Sequence, residues 1–195
     1  MYDLPTSVEI DGESFKIREK GDFRMVLHCF KTLSAEDLSE KERILACLMI
    51  FYEGLDTFED VLNLKNFEQA VKEMFAFMQA EQEENPKSKS ATSLIDWEKD
   101  SLLITSAINN VAGKEIRAEK YLHWWTFIGY YMAIGDCAMS QIVAIRYKIA
   151  HGEKLEKHEK KFRSENPQYF NIDYRSAEQK QADAFIQNLW NGGND

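Results

Sequence analysis

The chain has 195 residues, 44% of them hydrophobic and 29% charged, and carries a formal net charge of −9. One sizeable core is within reach at that length, and the excess acid excludes a general nucleic-acid binder, whose phosphate affinity comes from clustered Lys and Arg. Nine glycines and three prolines are few breakers, so the expected class is mainly α: a multi-helix bundle of two lobes with a short N-terminal β-hairpin.

Val8 and Ile10 alternate with polar residues, Asp11-Gly12 supplies a turn dipeptide, and Phe15 and Ile17 resume the alternation, which predicts the hairpin. From Asp22 the period becomes helical, with Asp22 as cap and Phe23, Val26, Leu27 and Phe30 on one side. Ser39 and Glu42 have the spacing of a capping box and lead into Ile44, Leu45, Leu48, Phe51, Tyr52 and Leu55. A third helix is expected from about Asn66 to Gln82, carrying Phe67, Ala70, Val71, Met74, Phe75 and Met78.

Residues 83–93 have the composition of a flexible linker, with Asn85-Pro86 and a Lys/Ser run. The expected division is therefore a lobe over 1–82, the linker, a second helical lobe over 94–170, and a C-terminal extension over 171–195. The second lobe opens on Asp96 as a cap, followed by Trp97, Ser101, Ile104, Ile108 and Val111 in a stripe that stops before Gly113. A helix over roughly Arg117 to Met132 is expected to be central to this lobe, because it is apolar around most of its circumference. Trp97, Tyr121, Trp124, Trp125 and Phe127 are read as core aromatics.

After Gly135-Asp136, Met139, Ile142, Ile145 and Ile149 form another stripe with Arg146 beside it, ended by His151-Gly152. Glu153 to Arg163 is charged almost throughout and anchored only by Leu155 and Phe162. From Ser176 a last short helix carries Phe185, Ile186, Leu189 and Trp190; Phe185 and Trp190, close to the chain end, are the candidate partner contacts.

Catalytic chemistry finds little to stand on. Asp96, Glu98 and Asp100 with His123, or Glu119 with His123, could be imagined around a metal, but neither set has a metal-helix spacing such as Glu-x-x-His. His28 and Cys29 are adjacent on a helix and diverge by about 100°. No serine lies in a Gly-x-Ser-x-Gly elbow, and a phosphate-cradling glycine loop is missing. Cys29, Cys47 and Cys137 sit among apolar residues and read as small core side chains of a reduced protein. Met1 to Glu9 lacks a signal-peptide pattern, and no stretch approaches the ~20 apolar residues of a membrane span. The expectation is a non-enzymatic protein with no cofactor and no metal, and with neither a nucleic acid nor a membrane as partner.

Several of these segments together resemble a known family: Asp96-Trp97-Glu98-Lys99-Asp100, Ile108, Tyr121-Leu122-His123-Trp124-Trp125-Thr126-Phe127, and Ile142-Val143-Ala144-Ile145-Arg146. With Tyr2 to Ile10 and the Cys47 to Leu55 segment around Phe51-Tyr52, the pattern is similar to the bacteriophage gene-product-fifteen family of tailed phages and prophages of Gram-positive bacteria, over residues 2 to 170. That resemblance implies a tail assembly chaperone of the host cytoplasm that binds and solubilises the tape-measure protein, an extended helical chain, until tail-tube subunits surround it. The tail-tube protein or a second tail chaperone would be further partners, and self-association is open. The alternative is a structural tail or connector component retained in the virion, with a metal-dependent enzyme a more distant third. It implies no site residues; for Arg146 the charge pattern itself suggests an ion pair with Asp96 or Asp100.

Overall fold

A computed structural model describes residues 3–80 and 94–171 of the chain. The expected linker over 83–93 and the C-terminal helix with Phe185 and Trp190 lie outside the described residues. Among the described residues the protein is mainly α, with two short strands and eight α-helices: β1 (Ser7–Ile10), β2 (Glu13–Lys16), α1 (Phe23–Leu33), α2 (Glu40–Phe51), α3 (Phe58–Leu62), α4 (Phe67–Met78), α5 (Ser101–Ala112), α6 (Trp124–Met132), α7 (Ala138–Ala150) and α8 (Lys157–Glu165). Short 3-10 turns at Arg18–Gly21, Ile116–Ala118 and Pro167–Tyr169 connect them.

The hairpin pairs Val8 with Phe15 and Ile10 with Glu13. Its turn is tight because Asp11 and Gly12 both take positive φ, 52° and 78°, the conformation a two-residue connection between right-twisted strands requires. Two isolated strands are marginal in water, and α4 supplies the missing support. Gln69 Nε2 donates to Glu9 O at 3.3 Å and Asn66 Nδ2 to Asp11 Oδ1 at 3.2 Å. Ile17, fully buried, extends the hairpin into a one-residue bridge with Tyr52.

Helix α2 begins at the expected box: Ser39 N donates to Glu42 Oε2 at 2.8 Å while Glu42 N donates to Ser39 Oγ at 3.4 Å. α3 was not foreseen; it is only five residues long and starts on a Thr57–Asp60 box, which closes with Asp60 N on Thr57 Oγ1 at 3.1 Å. α4 is shorter than expected and stops at Gln79. α5 follows a turn in which Asp96 Oδ1 accepts from Glu98 N and Lys99 N, and ends where Gly113 takes φ +68°.

The described residues fall into two compact units, one of 3–80 with 104–134 and the other of 94–103 with 135–171. This corrects the expected division, which placed the aromatic segment in a C-terminal lobe with 94–170. The aromatic segment belongs to the first unit because its indoles and backbone hydrogen-bond to α4 and to the start of α1. Val26, Cys29, Leu48, Phe51, Tyr52, Met74, Trp124 and Phe127 form the core there. Phe23 stacks on Phe127 at 4.7 Å and Phe51 meets Phe77 edge-on at 5.3 Å.

The second unit is built on Ile142, Ile145, Leu155 and Phe170, with Leu103, Ile149 and Phe162 against them. The buried Arg146 at its heart forms an ion pair with Asp100, Nη1 to Oδ2 at 2.6 Å and Nη2 to Oδ1 at 2.8 Å. Its remaining N–H groups donate to Leu94 O at 3.0 Å and to Tyr169 O at 2.8 and 2.6 Å. All five guanidinium hydrogens are therefore satisfied, and one side chain fastens the segment before α5, helix α7 and the turn after α8.

Candidate docking groove

The aromatic segment does not begin a helix at Arg117. Residues 119–122 are not helical, and α6 starts at Trp124 with His123 as its N-cap. Asp22 decides this. Its carboxylate caps α1 by accepting from Arg24 N at 3.0 Å and accepts from Leu122 N at 2.9 Å, so the chain is held open one residue before His123. Arg24 completes the join by donating to Asp22 and, at 2.7 Å, to Glu119 O.

His123 is 1% exposed and both ring nitrogens are used. Nδ1 accepts from Trp125 N at 3.1 Å, which leaves Nε2 as the donor to Pro5 O at 3.0 Å. One nitrogen accepting and the other donating is the neutral tautomer, and burial pushes its pKa down. With both nitrogens held by the backbone, His123 has none for a metal or for proton transfer. Gly21, at φ +77°, packs so closely that a Cβ there would lie 2.6 Å from Phe77 Cζ and 3.1 Å from His123 Nε2.

Trp124 and Trp125 diverge around α6 yet reach the same target. Their indole N–H groups donate to Met78 O at 2.9 Å and Phe77 O at 3.0 Å, buried carbonyls at the end of α4. Trp124 and Phe127 are buried, whereas Trp125 and Trp97 are half-buried. Tyr121, expected in the core, is 44% exposed because it precedes the helix. Its hydroxyl donates to Lys20 O at 3.0 Å. The aromatic run is thus largely committed to the protein's own architecture. Asp96 and Asp100 are likewise consumed, by turn amides and by Arg146.

The cysteines α1 and α2 contribute meet in the core: Cys47 Sγ donates to Cys29 O at 3.4 Å and Cys29 Sγ to Cys47 O at 3.9 Å. The neighbouring Cys47 sulfur and burial push the Cys29 thiol up, so it stays protonated.

A groove of about 620 Å³ opens beside α1 and α2, lined on its apolar side by Met25, Ala46, Met49, Ile50 and Phe58. Arg18, Arg24, His28, Glu19 and Asp56 form its polar edge. Arg18 donates to Asp56 Oδ1 at 2.7 Å and to Tyr52 O at 2.9 Å, while its Nε is buried with no acceptor among the described residues. The rim is strained: Glu19 and Lys20 hold φ of 51° and 55°, a left-handed conformation that costs non-glycine residues of order 1 kcal/mol or more and concentrates at functional sites. Met49, half-buried on this face alongside the buried Met25, gives an adaptable surface, since the unbranched thioether re-packs against different partners.

Sequence reasoning missed this groove. α1 and α2 were legible as amphipathic helices, but Met25, Ala46, Met49 and Ile50 are dispersed through them like any core residues. No solved structure and no curated protein matches the chain. The family model described as bacteriophage Gp15 protein matches residues 1–170, and the chain belongs to that family.

Proposed function

We propose that this phage protein is a tail-assembly chaperone that holds an apolar-striped helix of the tape-measure protein, without catalysing a reaction, until tail-tube subunits replace it. The observation that carries the reading is the groove floored by Met25, Met49 and Ile50 on a chain of the phage family. An amphipathic helix lays its apolar side chains into such a groove, and an extended helical protein without its assembly partner needs that cover to stay in solution. The net charge of −9 keeps the complex soluble.

The test is co-expression with the tape-measure protein of the same phage, followed by pull-down and measurement of the soluble fraction. The expected outcome is co-purification and rescued solubility, both lost in Met49→Glu, whose circular dichroism stays that of the wild type. Robust expression of both proteins without association overturns the reading and favours a structural component of the particle.

A further inference from the structure

The second unit carries a feature its acidic chain does not lead one to expect. A cup of about 690 Å³ is lined by Lys154, Lys160 and Arg163 around an apolar floor of Leu155, Pro167 and Phe170, and among the described residues no acidic side chain lines it. Two acids of this segment, Glu159 and Glu165, are engaged by other lysines. Glu159 accepts from Lys148 at 2.7 Å, and Glu165 meets Lys161 at 3.8 Å. Lys154, Lys160 and Arg163 are exposed and form no ion pair among the described residues. Lys160, Arg163 and Ser164 share one face of α8 by their helical spacing. Three unpaired cations over an apolar floor select an occupant that is acidic and presents bulky apolar side chains. Phosphate alone would leave the floor unused, and a chain of net charge −9 repels nucleic acid.

The same molecule presents a segment with that chemistry. From Glu53 to Leu64 there are four acids, Glu53, Asp56, Glu59 and Asp60, and no Lys or Arg. Within it, α3 buries Val61 but leaves Phe58 51% and Leu62 59% exposed. Four residues apart, these two side chains stand one above the other on the helix, with Glu59 beside them. Hydrogen bonds from Thr57 to Asp60 hold its pKa down, so the carboxylate is ionised wherever the chain is folded at neutral pH.

We propose that α3 of one copy docks in the α8 cup of a second copy, Phe58 and Leu62 on the Leu155–Phe170 floor and Glu59 against Lys160 and Arg163. Donor and acceptor surfaces differ, so the contact is head-to-tail and each added copy presents a fresh cup and a fresh α3. Association is reversible and salt-sensitive, because exposed charges attract over about 10 Å at 0.1 M salt and only about 3 Å at 1 M. Phe58 also lines the groove beside α1 and α2, so self-association and a tape-measure helix would compete for that side chain.

Sedimentation of the purified full chain over a range of concentrations and salt tests this. The wild type is expected to grow in mass with concentration and to return to monomer at high salt. Lys160→Glu with Arg163→Glu removes the cup, Phe58→Ser with Leu62→Ser removes the docking helix, and each variant alone is expected to be monomeric with unchanged circular dichroism. Mixed one to one, the two variants retain one intact surface each and are expected to form a dimer that grows no further. A wild type that is monomeric throughout, variants that associate like the wild type, or a mixture that stays monomeric overturns the proposal. Because no tape measure is present, any of these outcomes leaves the chaperone reading untouched.

Discussion

Single residues carry heavy structural duties here, and two of them yield separable predictions. His123 is neutral in the folded protein, with burial lowering its pKa. A histidine whose folded pKa lies below its unfolded value of about 6.5 binds fewer protons when folded, so stability is full above that value and is lost as the pH falls through and below it. The carboxylates held low by hydrogen bonds, such as Glu42 and Glu115, lose their contribution only at more acid pH. Chemical denaturation of the wild type should therefore weaken from pH 7.5 to 5.5. His123→Gln should flatten that slope and cost about 1–3 kcal/mol at pH 7.5 for the disturbed buried hydrogen bonds, leaving partner binding intact. Loss of binding in a folded His123→Gln protein would give the ring a role beyond architecture. Arg146→Ala should be costlier, about 3–5 kcal/mol, because it strands the Asp100 carboxylate in the core. Arg146→Lys should recover only part, since an ammonium cannot reproduce the fork that reaches Asp100, Leu94 and Tyr169 together.

At the scale of elements, local chemistry fixed the starts of helices and distant contacts moved them. Ser39→Ala should destabilise the protein by about 1 kcal/mol, read as a shifted denaturation midpoint, because it removes the acceptor for Glu42 N at the start of α2. That box, the Asp11-Gly12 turn and the Asp22 cap were legible because each is closed within four residues. The start of α6 was not legible. Asp22, one hundred residues upstream, takes Leu122 N and holds the chain non-helical to His123, so a helical apolar pattern that continues back to Tyr121 is overruled. α3 escaped notice for the opposite reason: five residues give too little periodicity to register, and its box uses Asp60 where the usual pattern has Glu or Gln. An ion pair of Arg146 with Asp96 or Asp100 was suggested by the charge pattern, and the structure selects Asp100 because Asp96 is taken up by the turn amides before α5. The Met-floored groove and the basic cup were hidden because each is assembled from separate elements whose residues look ordinary in sequence.

For the molecule as a whole, the proposed chaperone and the alternative, a structural tail component, differ in whether the protein leaves after assembly. A chaperone contact has to be released, and the groove suits release. It is open, its floor is adaptable methionine, and its rim holds backbone in a conformation that costs energy. On the proposed chaperone reading, tail-tube subunits that bind the tape measure would displace this protein by mass action. A structural component would instead need a large, well-packed permanent interface, of the kind obligate assemblies bury at 2,000 Å² and more, roughly. The two cases separate in the finished particle. Quantitative mass spectrometry of purified virions should find the tape-measure and tail-tube proteins and none of this chain, while the infected-cell lysate contains it bound to the tape measure. A constant number of copies per virion would show instead that the protein stays in the tail, and the groove would then be part of a permanent joint.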